Sequence, residues 1–218
     1  ITDKHTMVVS LLNGVDSEEL IGQRIGMEHM IYSLIRIASH RIGNSIHFSL
    51  PKGYNGIYIG IPNQPACQDP RLAAIAEIFA DTPVTLHLSD DILLDMWDKF
   101  GLNVSRNLPQ AILGVGIGVY DDSIYADAIM RKMRHEVVLV ANAKGIPLTD
   151  EFKAAKWLPS QRYSTLQDLD AHRHTEIDMF SGALIRMGKE VGVECPYNEM
   201  TYNLIKALEE KNDGKFDY

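Results

Sequence analysis

The sequence predicts a mixed α/β domain of about 90 residues followed by an all-helical domain of about 128 residues. Short apolar and β-branched runs separated by turn-forming residues occur before residue 90, and such runs are typical of strands. From residue 91 onward the apolar residues recur at helical spacing to the end of the chain. Because the pattern changes at Ser89, Asp90 and Asp91, we place the domain boundary there.

The first domain opens with an apolar run that ends at Asn13 and Gly14 and is typical of a buried strand. Ser17 begins a short helix, because the acidic residues of its first turn suit the helix dipole. The loop 51–56 is dense in turn formers, so its flanking strands are expected to form a hairpin. In 84–88 the Val and Leu side chains are expected to point inward. The predicted strands cover 6–12, 30–38, 44–49, 56–61 and 84–88, and a second helix covers 71–80.

The second domain is predicted to contain helices and no strand. Gly145 and Gly192, each followed within a few residues by proline, are typical helix stop signals. The glycines from Gly114 to Gly118 follow a helix instead of a strand and lack the dinucleotide-binding spacing, so we assign them to close helix packing. The expected helices cover 92–107, 110–118, 122–144, 149–156, 164–191 and 197–211.

Composition excludes several classes of protein. With 21 Lys and Arg against 29 Asp and Glu the formal net charge is −8, and no basic patch is evident, so we expect neither a nucleic acid nor a membrane surface as a partner. No apolar run approaches the roughly 18 residues of a membrane span and no leader is evident, so we expect a cytoplasmic protein. Because the first residue is Ile, we expect that the chain has been cut or lacks its N-terminus.

No metal site is expected. Cys67 and Cys195 are far apart and in no metal-binding or redox spacing. His172 and His174 lie two residues apart on a predicted helix, so their side chains would point to different faces.

Polar residues fall on the apolar face of the helix predicted over 92–107. That face is formed by Ile92, Leu93, Met96, Trp97, Phe100 and Val104. Asn103 and Asn107 fall inside it and Lys99 lies at its edge. Burying such groups without partners costs about 1–3 kcal/mol, so they should line something polar. Alternatively, the amides bond to neighbouring helices and Lys99 extends to solvent.

A second candidate is Glu176, on the flank of the apolar stripe of the helix predicted over 164–191. The stripe contains Leu166, Leu169, Arg173, Ile177, Phe180, Leu184 and Met187. A carboxylate beside such a stripe calls for a cation or a hydroxyl. The alternative is a surface acid that pairs with Arg173 or His172 and contributes only a few tenths of a kcal/mol.

Four stretches, in this order and spacing, resemble the ketopantoate reductase (2-dehydropantoate 2-reductase) family. They are residues 8–15 (VVSLLNGV) with 18–20 (EEL), 97–107 (WDKFGLNVSRN), 164–169 (STLQDL) with 174–178 (HTEID), and 192–198 (GVECPYN). The resemblance covers essentially the whole chain. It implies that residues 1–90 are the remainder of an NADP-binding Rossmann-like domain. Residues 91–218 would then be a substrate-binding and catalytic helical domain of the 6-phosphogluconate dehydrogenase C-terminal-like type.

The resemblance implies an oxidoreductase that reduces 2-dehydropantoate to (R)-pantoate with NADPH, a step in pantothenate and coenzyme A biosynthesis. Lys99 would be the general acid that protonates the ketone oxygen while hydride passes to the ketone carbon. Glu176 would approach the cofactor and the reaction centre, so it is both a catalytic and a cofactor-binding candidate. The partner is a small 2-keto acid, and the apolar helices over 122–144 and 197–211 are candidates for a homodimer interface.

Five further site positions are implied by the same resemblance. Asn103 and Asn107 match positions that hold the substrate's hydroxyl and carboxylate, and Ser164 matches another substrate contact. Asn13 matches a position that touches the cofactor, and it follows a strand where ligands bind in open α/β sheets. Ser39 is a further cofactor candidate.

The chain departs from the family at several positions. It has Leu-Pro-Gln after Asn107 where the family often has Pro-Leu-Thr, and Gly116 to Gly118 replace a substrate-binding Asn. Thr165 also stands where relatives often have Met. The substrate pocket is therefore expected to differ. The Gly-rich phosphate-binding segment is missing from these 218 residues, so we expect them to bind NADPH weakly or not at all and to turn over nothing.

Three interpretations remain open from the sequence. The first is the catalytic portion of a ketopantoate reductase. The second is a non-enzymatic helical binding or dimerisation module that has lost its nucleotide half. The third is a sister 2-hydroxyacid dehydrogenase that acts on another 2-keto acid. The choice between NADPH and NADH is not determined by these residues.

Overall fold

The computed structural model describes residues 3–37, 39–42, 44–48, 53, 55–152, 158–216 and 218, with the side chains of 39–42 left out. The chain divides into two compact units, Ile1–Met96 and Trp97–Tyr218. The division falls inside a helix, six residues after the boundary placed from the sequence.

The described part of the first unit contains two small sheets and two α-helices, besides two 3₁₀-helices of three residues each. The strands are β1 (Val8–Val9), β2 (Met30–Arg36), β3 (Ser39–Ile42), β4 (Ser45–Phe48), β5 (Gly56–Gly60) and β6 (Leu86–Leu88), and the helices are α1 (Ser17–Ile25) and α2 (Pro70–Phe79). The larger sheet has the order β1-β2-β5-β6, in which only the β2–β5 pair is antiparallel. Strands β3 and β4 form a separate antiparallel pair.

The core of this unit lies between the central strands and α2. Ile31 on β2 and Ile59 on β5 are fully buried against Leu72 and Ile75 of α2. Helix α2 begins at Pro70 because the preceding residue, Asp69, caps it: the Asp69 side chain accepts a hydrogen bond of 2.9 Å from the Arg71 amide. Continuous apolar runs at β2 and β5 are explained by burial on both faces.

The hairpin predicted across loop 51–56 is wrong. Strand β4 pairs with β3, and β5 pairs with β2, in the register Leu34 to Tyr58. The physical reason is burial: every side chain of β4 is exposed, whereas every residue of β5 is buried and needs a central position in the sheet. Residues 51, 52 and 54 of the predicted turn lie outside the described residues. Leu88 is 45% exposed, so the alternation predicted for 84–88 fails at its last residue.

Helices make up the regular structure described in the second unit. The ranges are α3 (Ile92–Leu102), a first π-helical segment (Asn103–Asn107), α4 (Leu108–Leu113), α5 (Val119–Asp122), α6 (Ile124–Ala143), α7 (Ser164–Asp170), a second π-helical segment (Asp178–Gly182), α8 (Ala183–Val191) and α9 (Pro196–Asn212). Helix α6 is the longest and buries Met133, Val137 and Val140 completely. Across the described ranges, no helix has the length and apolar character needed to span a membrane.

Three predicted helices differ from the structure. Helix α4 stops at Gly114, whose φ of 69° ends the turn in the left-handed region. Residues 149–152 of the helix predicted over 149–156 are not helical, and residues 153–156 lie outside the described residues. The helix predicted over 164–191 is broken by the non-helical stretch 171–177.

The break after α7 is a Schellman motif without glycine. His172 adopts the left-handed conformation with φ 52°, and the Arg173 amide donates to the Asp168 carbonyl at 2.8 Å. The His172 amide donates to the Leu169 carbonyl at 3.1 Å. The sequence signal that would have indicated this stop, a glycine, is absent. His172 and His174 therefore lie in an irregular turn and not on a helix.

Candidate active site

Lys99 lies beside the buried face of α3. Met96, Trp97 and Phe100 form that face, and the Trp97 and Phe100 rings meet edge to face with centroids 5.6 Å apart. Lys99 itself is half-buried, one turn before the first π-helical segment. Lys99 is thus partly shielded from water at the edge of an apolar helix face.

The first π-helical segment follows from a proline. In an α-helix, Pro109 would have no N–H for the Ser105 carbonyl, and its ring would clash with that carbonyl. Widening the preceding turn relieves this conflict, and π-helical turns of this kind are frequent at functional sites. The Ser105 hydroxyl adds a hydrogen bond of 2.6 Å to the Gly101 carbonyl. Asn103 is half-buried at the start of the segment and Asn107 is 2% exposed at its end.

Asn107 and Ser164 are brought into contact across 57 positions of sequence. The Asn107 Nδ2 donates to Ser164 Oγ at 3.3 Å, and the Thr165 amide donates to Asn107 Oδ1 at 3.3 Å. Asn107 therefore ties the end of the π-helical segment to the start of α7. An amide offers two hydrogens and two lone pairs, and these two contacts use one of each. Ser164 is exposed at the first position of α7.

Glu176 is half-buried immediately before the second π-helical segment. Its carbonyl accepts from the amides of Met179 at 2.9 Å and Phe180 at 3.1 Å, and the Gly182 amide reaches the Ile177 carbonyl at 3.0 Å in the wide π-type pattern. The two π-helical segments pack against each other. The segment with Asn103 and Asn107 therefore lies beside the one that begins just after Glu176.

The inward position predicted for Arg173 is wrong. Arg173 is exposed, and its Nε and Nη2 donate to Asp168 Oδ1 at 2.9 and 2.7 Å. The stripe was drawn for a continuous helix, and the left-handed turn at His172 changes the direction of every residue between the two helical pieces.

Sequence reasoning missed Glu209, which contacts Thr175, the residue before Glu176. Glu209 is 2% exposed and accepts hydrogen bonds from both the amide and the hydroxyl of Thr175. The signal was present in the pattern of α9, whose buried face includes three polar residues. The buried residues of that face are Asn198, Thr201, Ile205 and Glu209.

Asn13 lies in a loop of the first unit whose two ends are joined by a hydrogen bond. It is half-buried, between β1 and α1, and Gly14 beside it has φ 99°. Ser10 Oγ and Ser17 Oγ, at the two ends of the loop, are 2.8 Å apart, and Ser17 Oγ donates to the Glu18 carboxylate at 2.8 Å. Glu18 is 1% exposed, and burial raises the pKa of its carboxyl above the ordinary value.

The same network reaches the central strand. The Ser33 hydroxyl on β2 donates to the Ser10 carbonyl, and the Ser33 amide donates to Glu18 at 3.4 Å. The other cofactor candidate, Ser39, is the first residue of β3. Its side chain lies outside the described residues.

The glycines that replace a substrate-binding Asn have a structural explanation. A Cβ on Gly116 would lie 2.2 Å from the Pro159 carbonyl oxygen, and one on Gly118 would lie 2.8 Å from Pro159 Cβ. The Ile117 and Gly118 amides donate to the Gln161 and Pro159 carbonyls, both at 2.9 Å. No side chain fits at 116 or 118, so neither position can supply an amide group to a substrate. The close packing predicted for these glycines is against a loop and not against a helix.

In the described part of the chain, no group of three His, Cys, Asp or Glu side chains could hold a metal ion.

Comparisons with known proteins agree with this architecture. Residues 91–209 match a family model described as ketopantoate reductase PanE/ApbA C terminal. A 2-dehydropantoate 2-reductase from Caulobacter vibrioides is 29% identical over 210 residues, covering 93% of this chain and 68% of the relative. One from Streptococcus pyogenes serotype M1 is 28% identical over 221 residues, covering 96% and 69%. The chain thus spans about two thirds of these relatives.

Solved structures lead to the same result. A PanE/ApbA family ketopantoate reductase from Ralstonia eutropha JMP134 aligns with a TM-score of 0.79 at 25% identity, covering 97% of this chain and 69% of that one. D-mandelate dehydrogenase with NADH and anilino(oxo)acetate has a TM-score of 0.81 at 23% identity, covering 97% and 70%, and shows the fold alone. They confirm the predicted fold class, a partial Rossmann-like α/β unit followed by a helical domain. This chain therefore belongs to the ketopantoate reductase family.

Proposed function

We propose that this chain is part of an enzyme that reduces 2-dehydropantoate to (R)-pantoate with NADPH in the cytoplasm. Residues 91–218 would be its substrate-binding and catalytic domain and residues 1–90 the remainder of its NADP-binding domain. The observation that carries this proposal is the approach of the Asn103–Asn107 segment to Ser164 and to the segment that follows Glu176. Relatives named 2-dehydropantoate 2-reductase support the choice of substrate.

Lys99 is proposed to protonate the ketone oxygen. Negative charge builds on that oxygen as the carbonyl is reduced, and a nearby ammonium both attracts the charge and supplies the proton. The half-buried position of Lys99 beside Trp97 and Phe100 strengthens that attraction, because charges interact more strongly away from bulk water.

Substrate binding is proposed for Asn103, Asn107 and Ser164. Amides and hydroxyls hold a carboxylate and a hydroxyl without adding charge beside the reacting carbonyl. The contact between Asn107 and Ser164 holds both side chains in one place before substrate arrives. Such preorganisation reduces the entropy lost on binding.

The cofactor is proposed to be NADPH, with Asn13 and Ser39 as contacts in the first unit and Glu176 as a contact in the second. When bound, this cofactor supplies the hydride for the ketone carbon. The loop of Asn13 fits a ligand-holding role because it lies beyond β1 and the network of Ser10, Ser17 and Glu18 fixes both of its ends. One structural neighbour, D-mandelate dehydrogenase, binds NADH, so the assay should compare both nucleotides.

A homodimer is proposed through the apolar outer faces of α6 and α9. Met200 and Leu204 on α9 are exposed, as are Ile124 and Tyr125 at the start of α6. One structural neighbour is described as a dimeric ketopantoate reductase from Staphylococcus aureus. Light scattering on wild type and Met200→Glu tests this, and a wild-type monomer at micromolar concentration would contradict it.

The experiment that tests the function measures steady-state rates for the full product of the gene that encodes this chain. We expect Lys99→Ala to lower kcat by about two orders of magnitude or more, as for loss of a general acid. Lys132→Ala, an exposed lysine on α6, serves as the matched control and should leave kcat unchanged. An unchanged rate for Lys99→Ala removes Lys99 from the mechanism. No turnover by wild type with any 2-keto acid favours the non-enzymatic module.

A second candidate function is reduction of another 2-keto acid. Gly116 and Gly118 favour it, since no substrate-binding side chain fits there, and the fold is equally close to a D-mandelate dehydrogenase. Comparing kcat/KM for 2-dehydropantoate with that for an aryl 2-keto acid such as benzoylformate decides between them. One misfitting apolar group changes this ratio by about 10–200-fold, and a missing hydrogen bond changes it more.

A further inference from the structure

We propose that Glu209, on helix α9, is a positioning residue that fixes the place of Glu176. This inference rests on the proposed function, in which Glu176 approaches the cofactor and the reaction centre. Glu209 is separated from Glu176 by 33 positions of sequence and reaches it through Thr175.

Glu176 lies in a stretch where no regular helix holds the backbone. Helix α7 ends in the left-handed turn at His172, and the second π-helical segment begins only at Asp178. Residues 171–177 between them are irregular. The position of the Glu176 backbone therefore depends on contacts made by its immediate neighbours.

One carboxylate oxygen of Glu209 accepts two hydrogen bonds from Thr175, the residue before Glu176. The Thr175 amide and the Thr175 hydroxyl each donate to Glu209 Oε1 at 2.7 Å. The same hydroxyl accepts from the Ile177 amide at 3.2 Å. Glu176 is thus bracketed, because the backbone on both of its sides is connected to Glu209.

Glu209 is itself held firmly. Its Oε2 lies 2.7 Å from Lys206 Nζ and 3.6 Å from His174 Nδ1. Burial by itself raises the pKa of Glu209, but the nearby ammonium of Lys206 and the hydrogen bonds from Thr175 outweigh burial and leave the pKa below its ordinary value. The group is therefore a carboxylate at neutral pH, the form that accepts hydrogen bonds most strongly.

Helix α9 also holds the two ends of the irregular stretch. Tyr202 Oη donates to Asp178 Oδ1 at 2.7 Å, and Asn212 Nδ2 donates to the Leu169 carbonyl at 2.8 Å. With its ends fixed by these contacts, the stretch stays attached to α9 when Glu209 is changed. The effect of replacing Glu209 should therefore be local to Thr175, Glu176 and Ile177.

The kinetic test uses the full product of the gene that encodes this chain. Glu209→Gln keeps the shape of the side chain but places an NH₂ group toward Lys206 or Thr175. We expect kcat to fall about tenfold or more while KM for the 2-keto acid changes by less than about threefold, since other residues hold the substrate. Glu210→Gln, the neighbouring acid on α9, is the matched control and should leave kcat unchanged.

A double-mutant cycle separates positioning from general stability. If Glu209 acts through Glu176, Glu209→Gln adds no further loss of kcat in the Glu176→Gln background. Thr175→Val should lower kcat as Glu209→Gln does. Thr175→Ser keeps the hydroxyl, so its kcat should stay close to that of wild type. An equal loss of kcat with and without Glu176, or no rescue by serine, overturns the proposal.

Amide hydrogen exchange gives a readout that does not depend on activity. In Glu209→Gln the Thr175 and Ile177 amides should exchange about tenfold faster or more, while the Gly182 amide keeps its rate. Unchanged exchange at Thr175 overturns the proposal. If Glu176→Gln has full activity while the Thr175 and Ile177 amides lose protection in Glu209→Gln, the catalytic role of Glu176 is contradicted and the positioning of the turn by Glu209 stands.

Discussion

Replacing Asn107 by alanine and by aspartate separates its structural role from its proposed role in substrate binding. The side chain is 2% exposed and makes two hydrogen bonds of 3.3 Å, one to Ser164 Oγ and one from the Thr165 amide. Alanine removes both hydrogen bonds. Aspartate keeps an oxygen for the Thr165 amide, and the Ser164 hydroxyl can turn to donate to it.

The two variants should rank in opposite order for stability and for activity. Removing a neutral hydrogen bond lowers the free energy of unfolding by about 0.5–1.5 kcal/mol, so Asn107→Ala should lose about 1–3 kcal/mol in total. In Asn107→Asp the burial of a charge opposes the favourable position of that charge beside the N-terminus of α7, and we expect stability within about 1 kcal/mol of wild type.

For activity, the negative charge of aspartate is expected to lower kcat/KM most, because the substrate is itself a carboxylate. Two like charges 4 Å apart repel by about 4 kcal/mol at an effective dielectric constant of 20, which lowers kcat/KM for a 2-keto acid roughly a thousandfold. If Asn107 binds the substrate carboxylate as proposed, alanine removes one hydrogen bond worth about 1.5–3 kcal/mol, which corresponds to a decrease of about 10–100-fold.

The assay combines urea unfolding with initial rates for wild type and both variants. Asn103→Asp, at the half-buried start of the same segment, provides a comparison within the proposed substrate site. If kcat/KM follows stability, so that alanine is the worse variant in both measurements, Asn107 is a structural residue only. Near wild-type kcat/KM for Asn107→Asp would refute its contact with the substrate carboxylate.

Three further changes test the packing within each of the two units. Burial raises the pKa of Glu18, so ionisation of this carboxyl opposes folding at pH 7. Glu18→Gln should therefore raise the free energy of unfolding at pH 7, and this gain should shrink as the pH falls toward 4.5, the ordinary pKa of the group. Urea titrations at pH 7 and pH 5 check this. Glu136 accepts from the Tyr197 amide at 2.8 Å and the Asn198 amide at 3.0 Å, so Glu136→Gln should cost about 1.5–3 kcal/mol and lower Tm by roughly 3–12 °C in a calorimetric scan. Gly116→Ala places a Cβ 2.2 Å from a backbone oxygen and should cost about 1–3 kcal/mol or more, and an unchanged urea midpoint would contradict the close approach.

The sequence alone determined the family, the order of the two kinds of domain and the positions of the long helices. Apolar spacing is a local property, so it placed α2, α6 and α9 within a few residues of their observed bounds. It also placed Asn103 and Asn107 on the face of a helix that turns inward. For these features the information lies within a few turns of chain, where side-chain periodicity and capping act.

Other features depend on partners far away in the sequence. The apolar pattern predicts that β5 is buried, but it does not predict that β5 pairs with β2, because burial does not determine which strand lies beside it. The left-handed turn at His172 opposes local preference by about 1–2 kcal/mol, and contacts from α9 to both sides of the turn offset that penalty. The meeting of Asn107 with Ser164 and of Glu209 with Thr175 was likewise decided by the packing of helices, since hydrogen bonds across such separations form only when the tertiary structure brings the groups together.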